Sequence, residues 1–439
     1  MRVLVLEKRS ELGGRVYTYH DKDGTMTVEA GAGRFSNHHT RLLKLIRELG
    51  LEKQVVRIDG GFSYKPVVPS IFRRDEVSYE NGGFTTSDGL PKSSSSEDIH
   101  AIMKASKKTA VRTLRSLSFL DYAKQVVGDK RAKHIADSFG YYSELVIMNA
   151  YDAIRLMRIL DTNTKSNTFY GMAGGLSQII SGLETEIRKY PNAEIRMKTE
   201  VVDVFTVDAS PSDTLPSDTS PTDTLPSDTF ESRRGLMKCI FVDGDSVFTQ
   251  QCVFALPKPA LEKLAMFQSL KPELNQVSCG SLCRIYSQFR PSDAKWMKGL
   301  NKITTNNDLR MIIPIDSAKG IVMISYTDNR YADAWNTLHK QDVAKGSDNS
   351  AVDTRIAKLI RETLHVDIPK PIKTKVFYWS CGVGYWNVGA NSRLVAKRMI
   401  RPFGAKRIFV CGEHFSGTHQ QWMEGALETS QTVVRALLS

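Results

Sequence analysis

The sequence has no long hydrophobic run. Its uninterrupted apolar stretches, such as Val3 to Leu6 and Ile321 to Ile324, fall far short of the roughly 20 residues that cross a bilayer as a helix. A transmembrane helix is therefore excluded. Cysteine is sparse as well: Cys239, Cys252, Cys279, Cys283, Cys381 and Cys411 are the six in 439 residues. None stands in a CxxC pair, and Cys279 and Cys283 have no second ligand pair to complete a zinc site. No metal site is expected. This usage excludes a disulfide scaffold and suits a reducing, cytoplasmic compartment. A block of one charge is also missing. Lys and Arg number 60 against 48 Asp and Glu, a formal charge of +12. The basic residues are scattered rather than gathered into arms, which argues against a nucleic-acid surface.

What is present is an ordinary globular composition, 41% hydrophobic and 25% charged, enough for a sizeable core. Val3-Leu4-Val5-Leu6 reads as a strand buried on both faces of a parallel sheet. It leads into Glu7 and then Gly13-Gly14-Arg15. Leu42, Leu43, Leu45, Ile46 and Leu49 follow with helical spacing, with Thr40 as N-cap and Gly50 as stop. Residues 98–160 are mostly helical in pattern. Gly174-Gly175 opens a helix over 176–189, and a strand follows near 194–205. Residues 210–229 read SPSDT LPSDT SPTDT LPSDT, a low-complexity stretch that cannot bury enough apolar area to order itself. Strands alternate with a helix at 352–364 over residues 276–380. The tail is a strand at 408–411, Gly412-Glu413, a polar loop, and a helix with Met423, Leu427, Val434 and Leu438 on one face.

The turn after the first strand carries chemistry. A carboxylate at such a strand end, Glu7, can accept both hydroxyls of an adenosine ribose. Gly13 and Gly14 let the backbone approach a pyrophosphate, and Arg15 can pair with its charge. A surface Glu followed by an ordinary turn fits the same residues equally well.

The pattern VLVLEKRSELGGR resembles the flavin-dependent amine oxidases, a superfamily of monoamine, polyamine and L-amino-acid oxidases. RIFVCGEHFSGTHQQWMEGALETS resembles their C-terminal flavin motif over its whole length. The resemblance implies an α/β fold: an FAD-binding, doubly wound, Rossmann-like domain of the glutathione-reductase type, plus a substrate domain of antiparallel sheet with helices. The first comprises residues 1–50, 171–257 and 376–439, with a disordered insert at 208–230; the second comprises 51–170 and 258–375. By resemblance the FAD contacts are Glu7, Gly13, Gly14, Arg15, Gly33, Arg34, Val201, Trp379, Gly412, Glu413, Trp422, Met423 and Ala426. Val201 meets the adenine through its backbone, Glu413 the ribityl–diphosphate part, and Met423 the flavin ring.

The resemblance also implies a reaction. Trp386 in WSCGVGYW and Trp422 fall where the family places two facing aromatic walls around a neutral amine. Arg34 stands where L-amino-acid oxidases carry an Arg that clamps the substrate carboxylate as a planar fork. An Arg contacting flavin or a backbone carbonyl is the alternative. Arg284 replaces the family's Lys near flavin N5. The expectation is an FAD-dependent oxidase that turns an L-amino acid or amine into an imine and passes electrons to O2, giving hydrogen peroxide. Its partners would be a small-molecule substrate and O2, with a homodimer compatible. A monoamine or polyamine oxidase without the clamp is one alternative. A non-catalytic, FAD-free relative acting as a binding protein is another. The family opens with a strand and GxGxxG turn before its Glu, and this sequence has neither. A truncated start is the favoured account, and it would also conceal any signal peptide.

Overall fold

The computed structural model describes residues 1–58, 77–79, 95–159, 168–207, 236–297, 302–364, 366–404 and 407–438. The insert expected at 208–230, with its pentapeptide repeat, lies outside them. The architecture is mixed helix and sheet. Val3–Leu6 forms the expected strand and runs parallel to Ala193–Arg196. A second parallel pair joins Cys252–Phe254 to Ile408–Val410. Among the described residues no strand links the two parallel pairs into one sheet. The expectation that Val3–Leu6 is buried on both faces is corrected accordingly. Val3 is 42% exposed and Leu4 to Leu6 are half-buried, because among the described residues the strand has a neighbour on one edge only. Leu6 still reaches the core that Phe254, Val410 and Phe415 build.

The second unit is a six-stranded sheet dominated by Val277–Gln288, which pairs antiparallel with Lys373–Trp386 on one side and Ile321–Asp328 on the other. Period-two alternation divides the labour of its central strand. Cys283 and Ile285 face the helices Asn329–Ala344 and Ser350–Leu364 and pack with Trp335, Ile356 and Ile360. Leu282, Arg284 and Tyr286 face a large cavity. A helical cluster over residues 98–159 closes that cavity from another direction. Its core is Ile102, Phe119, Tyr122, Ile135 and Leu145, and Ser118 caps one helix by accepting the Asp121 N–H at 3.0 Å.

Two helices differ from the periodicity reading. Helix Thr40–Glu48 begins after His39, not after Thr40, and His39 makes no side-chain cap. Its free amides go instead to Glu424, fully buried, whose carboxylate accepts from the backbone of Arg41 and Leu42 at 3.2 and 3.0 Å. A distant carboxylate at a helix start satisfies donors and complements the dipole, so no local cap is needed. In helix Met423–Leu438 the expected apolar face fails at its far end. Val434 and Leu438 are 51% and 80% exposed, whereas Val433 is buried against Phe409 and Cys411.

The cysteines are corrected too. Cys279 and Cys381 form a disulfide. They sit on the neighbouring strands Val277–Gln288 and Lys373–Trp386, where the register shifts between Gly280 and Leu282. Their Cα atoms are 4.9 Å apart, within the reach of a bridge. A separation of 102 residues hides this pairing from any spacing rule. The argument from unpaired cysteines to a reducing compartment therefore loses its basis. No helix among the described residues is long and apolar enough to cross a membrane.

Candidate active site

All three structural units converge on one cavity of about 1900 Å³. Pockets for single small ligands run to roughly 1,000 Å³, so this one has room for a dinucleotide-sized cofactor together with a substrate. Glu7, Gly13, Gly14 and Arg15 line it, as do Gly33, Arg34, Arg284, Trp379, Gly412, Glu413, Trp422, Met423 and Ala426. Chain segments separated by hundreds of residues thus deliver nearly all of the expected contacts to one space.

The glycine turn is specified by backbone geometry. Gly13 has φ +110°, and a Cβ there would stand 2.7 Å from the Val16 carbonyl oxygen. Gly14 has φ +55° and open space where a side chain would be. Backbone exposed in this way leaves a cradle that a ligand can fill. The Glu7 carboxylate accepts the Arg9 N–H at 2.8 Å, an arrangement that holds it at the cavity edge. Gly412, at φ +138°, has nothing closer to a would-be Cβ than the Leu256 carbonyl oxygen at 3.8 Å.

Arg15 and Glu413 form the electrostatic centre of this wall. The Arg15 guanidinium pairs with the Glu413 carboxylate and donates to the Gly382 carbonyl at 2.9 Å. Glu413 also accepts the Gly384 N–H at 3.1 Å and the Gln421 N–H at 2.7 Å. Burial alone would raise the Glu413 pKa, but His414, Arg15 and these hydrogen bonds hold it below the ordinary value. Burial pushes His414 down to about 4, so at neutral pH His414 is an uncharged donor and Arg15 supplies the charge. The His414 tautomer follows from its partners. Nδ1 accepts the Lys258 N–H at 2.9 Å, so Nε2 carries the proton and faces Glu413 Oε1 at 3.1 Å.

Beside it, Arg284 Nη1 donates to the Glu29 carbonyl at 2.8 Å, where the Tyr286 hydroxyl also donates at 2.7 Å. The Trp379 indole N–H donates to the Ala30 carbonyl at 2.7 Å. The Glu29 carboxylate accepts the Leu176 N–H and the Thr18 hydroxyl, tying the start of helix Ser177–Arg188 to the same wall. This fixes the backbone at Glu29 and Ala30, just ahead of Gly33 and Arg34, the two residues read as flavin contacts.

The aromatic part of the cavity is a stack. The Arg34 guanidinium lies 4.6 Å above the Phe169 ring, Phe169 stacks on Trp422 at 6.2 Å, and His39 meets Trp422 edge-on at 4.8 Å. His39 is wholly buried, and burial, with His419, His38 and Arg34 acting in the same direction, lowers its pKa to about 3. It is a neutral support for Trp422. Arg34 Nη2 reaches the Tyr141 hydroxyl at 3.4 Å, and Tyr141 packs edge-on against Tyr326 at 5.5 Å.

Two expected contacts do not line the cavity. Val201 packs against the core around Phe254. Trp386 is 1% exposed. Its indole donates to the Ser416 carbonyl at 3.1 Å, its backbone N–H donates to Gln420, and its ring belongs to the core with Val277 and Phe415. At this end of the strand the aromatic that lines the cavity is Tyr385, its neighbour. Neighbouring residues on a strand point to opposite faces, so one position decides the matter. The sequence held a usable signal, since Gly382 and Gly384 share Trp386's phase. A Cβ at Gly384 would stand 2.6 Å from the His414 ring, which marks that phase as the closely packed one. Phe169, Tyr141 and Glu144 were also missed. Nothing local marks them, because they come from the helical unit and a short separate strand.

Glu144 stands out among the cavity carboxyl groups. Glu7, Glu29, Glu413 and Asp316 each accept a hydrogen bond. Glu144 lines the cavity with Asp328 and Arg34 as its charged neighbours, and burial followed by Asp328 pushes it up to about 8, against the pull of Arg34.

Comparison with known proteins places this geometry in context. The sequence pattern of the flavin containing amine oxidoreductases matches residues 1–438. No curated protein matches the sequence. Among solved structures, a putrescine oxidase double mutant redesigned in cofactor binding superposes with TM-score 0.68 at 14% identity, over 99% of this chain and 93% of that one. A triple mutant of putrescine oxidase gives 0.65 at 15% identity over 99% and 93%. A protein described as a protoporphyrinogen oxidase from Exiguobacterium sp. 255-15 gives 0.61 at 12% over 99% and 92%. At these identities the likeness is one of fold.

Proposed function

The chain belongs to the flavin-containing amine oxidoreductase family, whose members carry FAD, and from that premise we propose that it oxidises the C–N bond of an L-amino acid. The observation that carries the reading is the Arg34–Phe169–Trp422 stack opening onto a cavity large enough for FAD and a substrate. Glu7, Gly13, Gly14, Gly33, Trp379, Gly412, Met423 and Ala426 would hold the cofactor, and Arg284 anchors the wall beside it. FAD supplies the two-electron acceptor for the hydride that leaves the substrate carbon, with O2 as the final oxidant and hydrogen peroxide as product.

The protein's own residues bind, orient and dehydrate. Arg34, held over the Phe169 ring, offers a planar fork to a carboxylate. Trp422, braced by His39 and Phe169, excludes water together with Tyr385. Glu144, pushed up to about 8, carries its proton at neutral pH; its ionised form, which grows as pH rises through that value, takes the ammonium proton onto a carboxylate oxygen and leaves the nitrogen lone pair free.

The test is the visible spectrum of the chain purified with excess FAD, followed by peroxide assays on L-amino acids and on diamines. Bound flavin, turnover of amino acids, and an Arg34→Ala variant whose KM rises roughly 10- to 100-fold, the scale of one lost charge-assisted hydrogen-bond pair, are expected. An unchanged KM would remove the clamp. A cationic amine as substrate is the second reading, and Glu144 favours it, because a cavity carboxyl group can also meet a second ammonium. Turnover of diamines alone would select it.

A further inference from the structure

The flavin reading makes no use of the disulfide, yet the disulfide borders the same cavity. Cys381 lines the cavity wall and is half-buried, as is Cys279. The Cys381 sulfur lies 3.6 Å from His414 Nε2, the nitrogen that carries the proton because Nδ1 accepts from Lys258. Arg15 Nη1 is 3.3 Å from that same Nε2. A neutral N–H donor therefore stands at a sulfur that borders the cavity, with the Arg15 guanidinium behind it, 3.3 Å from the same imidazole nitrogen. That is the microenvironment that favours a thiolate. The bridge also spans the irregular register between the strands Val277–Gln288 and Lys373–Trp386. Gly382 and Gly384 follow Cys381 directly, and they supply the carbonyl for Arg15 and the N–H for Glu413.

The three side chains Cys279, Cys381 and His414 bring their ligand atoms within 4.8 Å of one another, which raises a metal site as the competing reading. The tautomer argues against it. A metal on Nε2 would require the proton on Nδ1, where the Lys258 N–H already points.

We infer that Cys279–Cys381 is a thiol–disulfide exchange site, open to small dithiols through the cavity, whose reduction weakens the FAD site. This rests on the proposal that FAD occupies the cavity. A dithiol attacks through one thiolate at the Cys381 sulfur; the Cys279–Cys381 bond breaks, a mixed disulfide forms, and Cys279 leaves as a thiolate that takes up a proton. The second thiol of the same reductant then displaces Cys381, closing the reductant's own disulfide. The dithiol has lost two electrons and two protons, and the protein has gained both pairs. Cys381 is released beside His414 Nε2, where its thiolate competes with Glu413 for that donor. The strand segment that carries Gly382 and Gly384 loses its covalent clasp in the same event. Both effects loosen the wall that Arg15 and Glu413 build.

The experiment uses the full chain and dithiothreitol as the probe. Thiols accessible in the folded protein are blocked, the protein is reduced with dithiothreitol without denaturant, and newly exposed thiols are labelled with a second reagent and located by mass spectrometry. In parallel, FAD is titrated into oxidised and dithiothreitol-reduced protein and followed by flavin fluorescence. The second label is expected on Cys279 and Cys381, with Kd for FAD rising roughly tenfold on reduction, the scale of one lost charge-assisted hydrogen bond. A Cys279→Ser/Cys381→Ser variant should show one Kd, indifferent to dithiothreitol. Second label absent from this pair, or equal Kd values in both wild-type states, or a shift that survives in the double variant, each overturns the inference. Equal, measurable FAD binding in both states would leave the flavin reading standing and remove only the switch. Failure of FAD to bind either state would remove both. Wild-type labelling and titration decide the matter even if the variant does not fold.

Discussion

Removing the Glu413 carboxylate should destabilise the protein more than its single ion pair suggests. In Glu413→Ala, Arg15 loses its partner and the N–H groups of Gly384 and Gln421 lose their acceptor. Breaking a buried pair costs about 3–5 kcal/mol because the surviving charge is left uncompensated. The Arg15 side chain remains 28% exposed, so water recovers part of that cost and the lower end, about 3 kcal/mol, applies. Unfolding entropy near 2.1 cal/mol/K per residue gives about 0.9 kcal/mol/K for 439 residues, and hence a fall in Tm of about 3 °C. The pH dependence has a definite sign. Glu413 has a folded pKa below its ordinary value of 4.5, so its contribution is complete above that value and disappears as pH falls through the folded pKa. Wild type and Glu413→Ala should therefore differ most at neutral pH and converge in acid. Urea unfolding followed by tryptophan fluorescence at pH 7 and at pH 3 measures both quantities. A variant within 0.5 kcal/mol of wild type at pH 7 (about the noise of a surface substitution) would refute the view of Glu413 as the hub of this wall.

Further outcomes follow from the same geometry. Glu144, raised to about 8, binds a proton in the folded state that the unfolded chain releases near pH 4.5. Wild-type stability should then fall as pH climbs from about 5 to 8, and Glu144→Gln should flatten that slope in thermal unfolding; an identical slope in both would place Glu144 outside the titration. Trp386→Phe should lower stability by about 1–3 kcal/mol through the unpaired Ser416 carbonyl while leaving substrate KM unchanged, whereas Trp422→Phe should raise KM. A matched KM change in both variants would contradict the assignment of Trp386 to the core. Gly175→Ala should be poorly tolerated, since Gly175 has φ +99° and a Cβ there would stand 2.2 Å from the Thr18 side chain. Recovery of wild-type Tm in that variant would show the turn to be more yielding than this packing implies.

The glycine turn, the Glu413 motif and the Arg34 stretch were legible in sequence because each is a contiguous run whose residue types answer to a local demand. Glycines that need positive φ, a carboxylate after a buried strand, and helical periodicity over 42–49 are all short-range facts. The family resemblance, carried over residue by residue, named thirteen residues that line one cavity: Glu7, Gly13, Gly14, Arg15, Gly33, Arg34, Arg284, Trp379, Gly412, Glu413, Trp422, Met423 and Ala426. Trp386 failed for a reason that is not local. Its side-chain direction depends on strand phase, and the phase is set by how Gly384 packs against His414.

Other features depended on contacts that no window of sequence contains. Glu424 caps a helix 382 residues away, because a buried carboxylate and unpaired amides find one another only after packing. Cys279 meets Cys381 because two long strands pair with an irregular register. Glu144 acquires its raised pKa from burial beside Asp328, a desolvation that exists only in the assembled cavity. Sequence alone thus determined the glycine turns, the helical periodicity and which residue types stand in the family's motifs, since backbone conformation and side-chain chemistry are local properties. Tertiary structure alone decided which of them face the cavity, which charges pair and which sulfurs touch, since burial and distance arise only when remote segments meet.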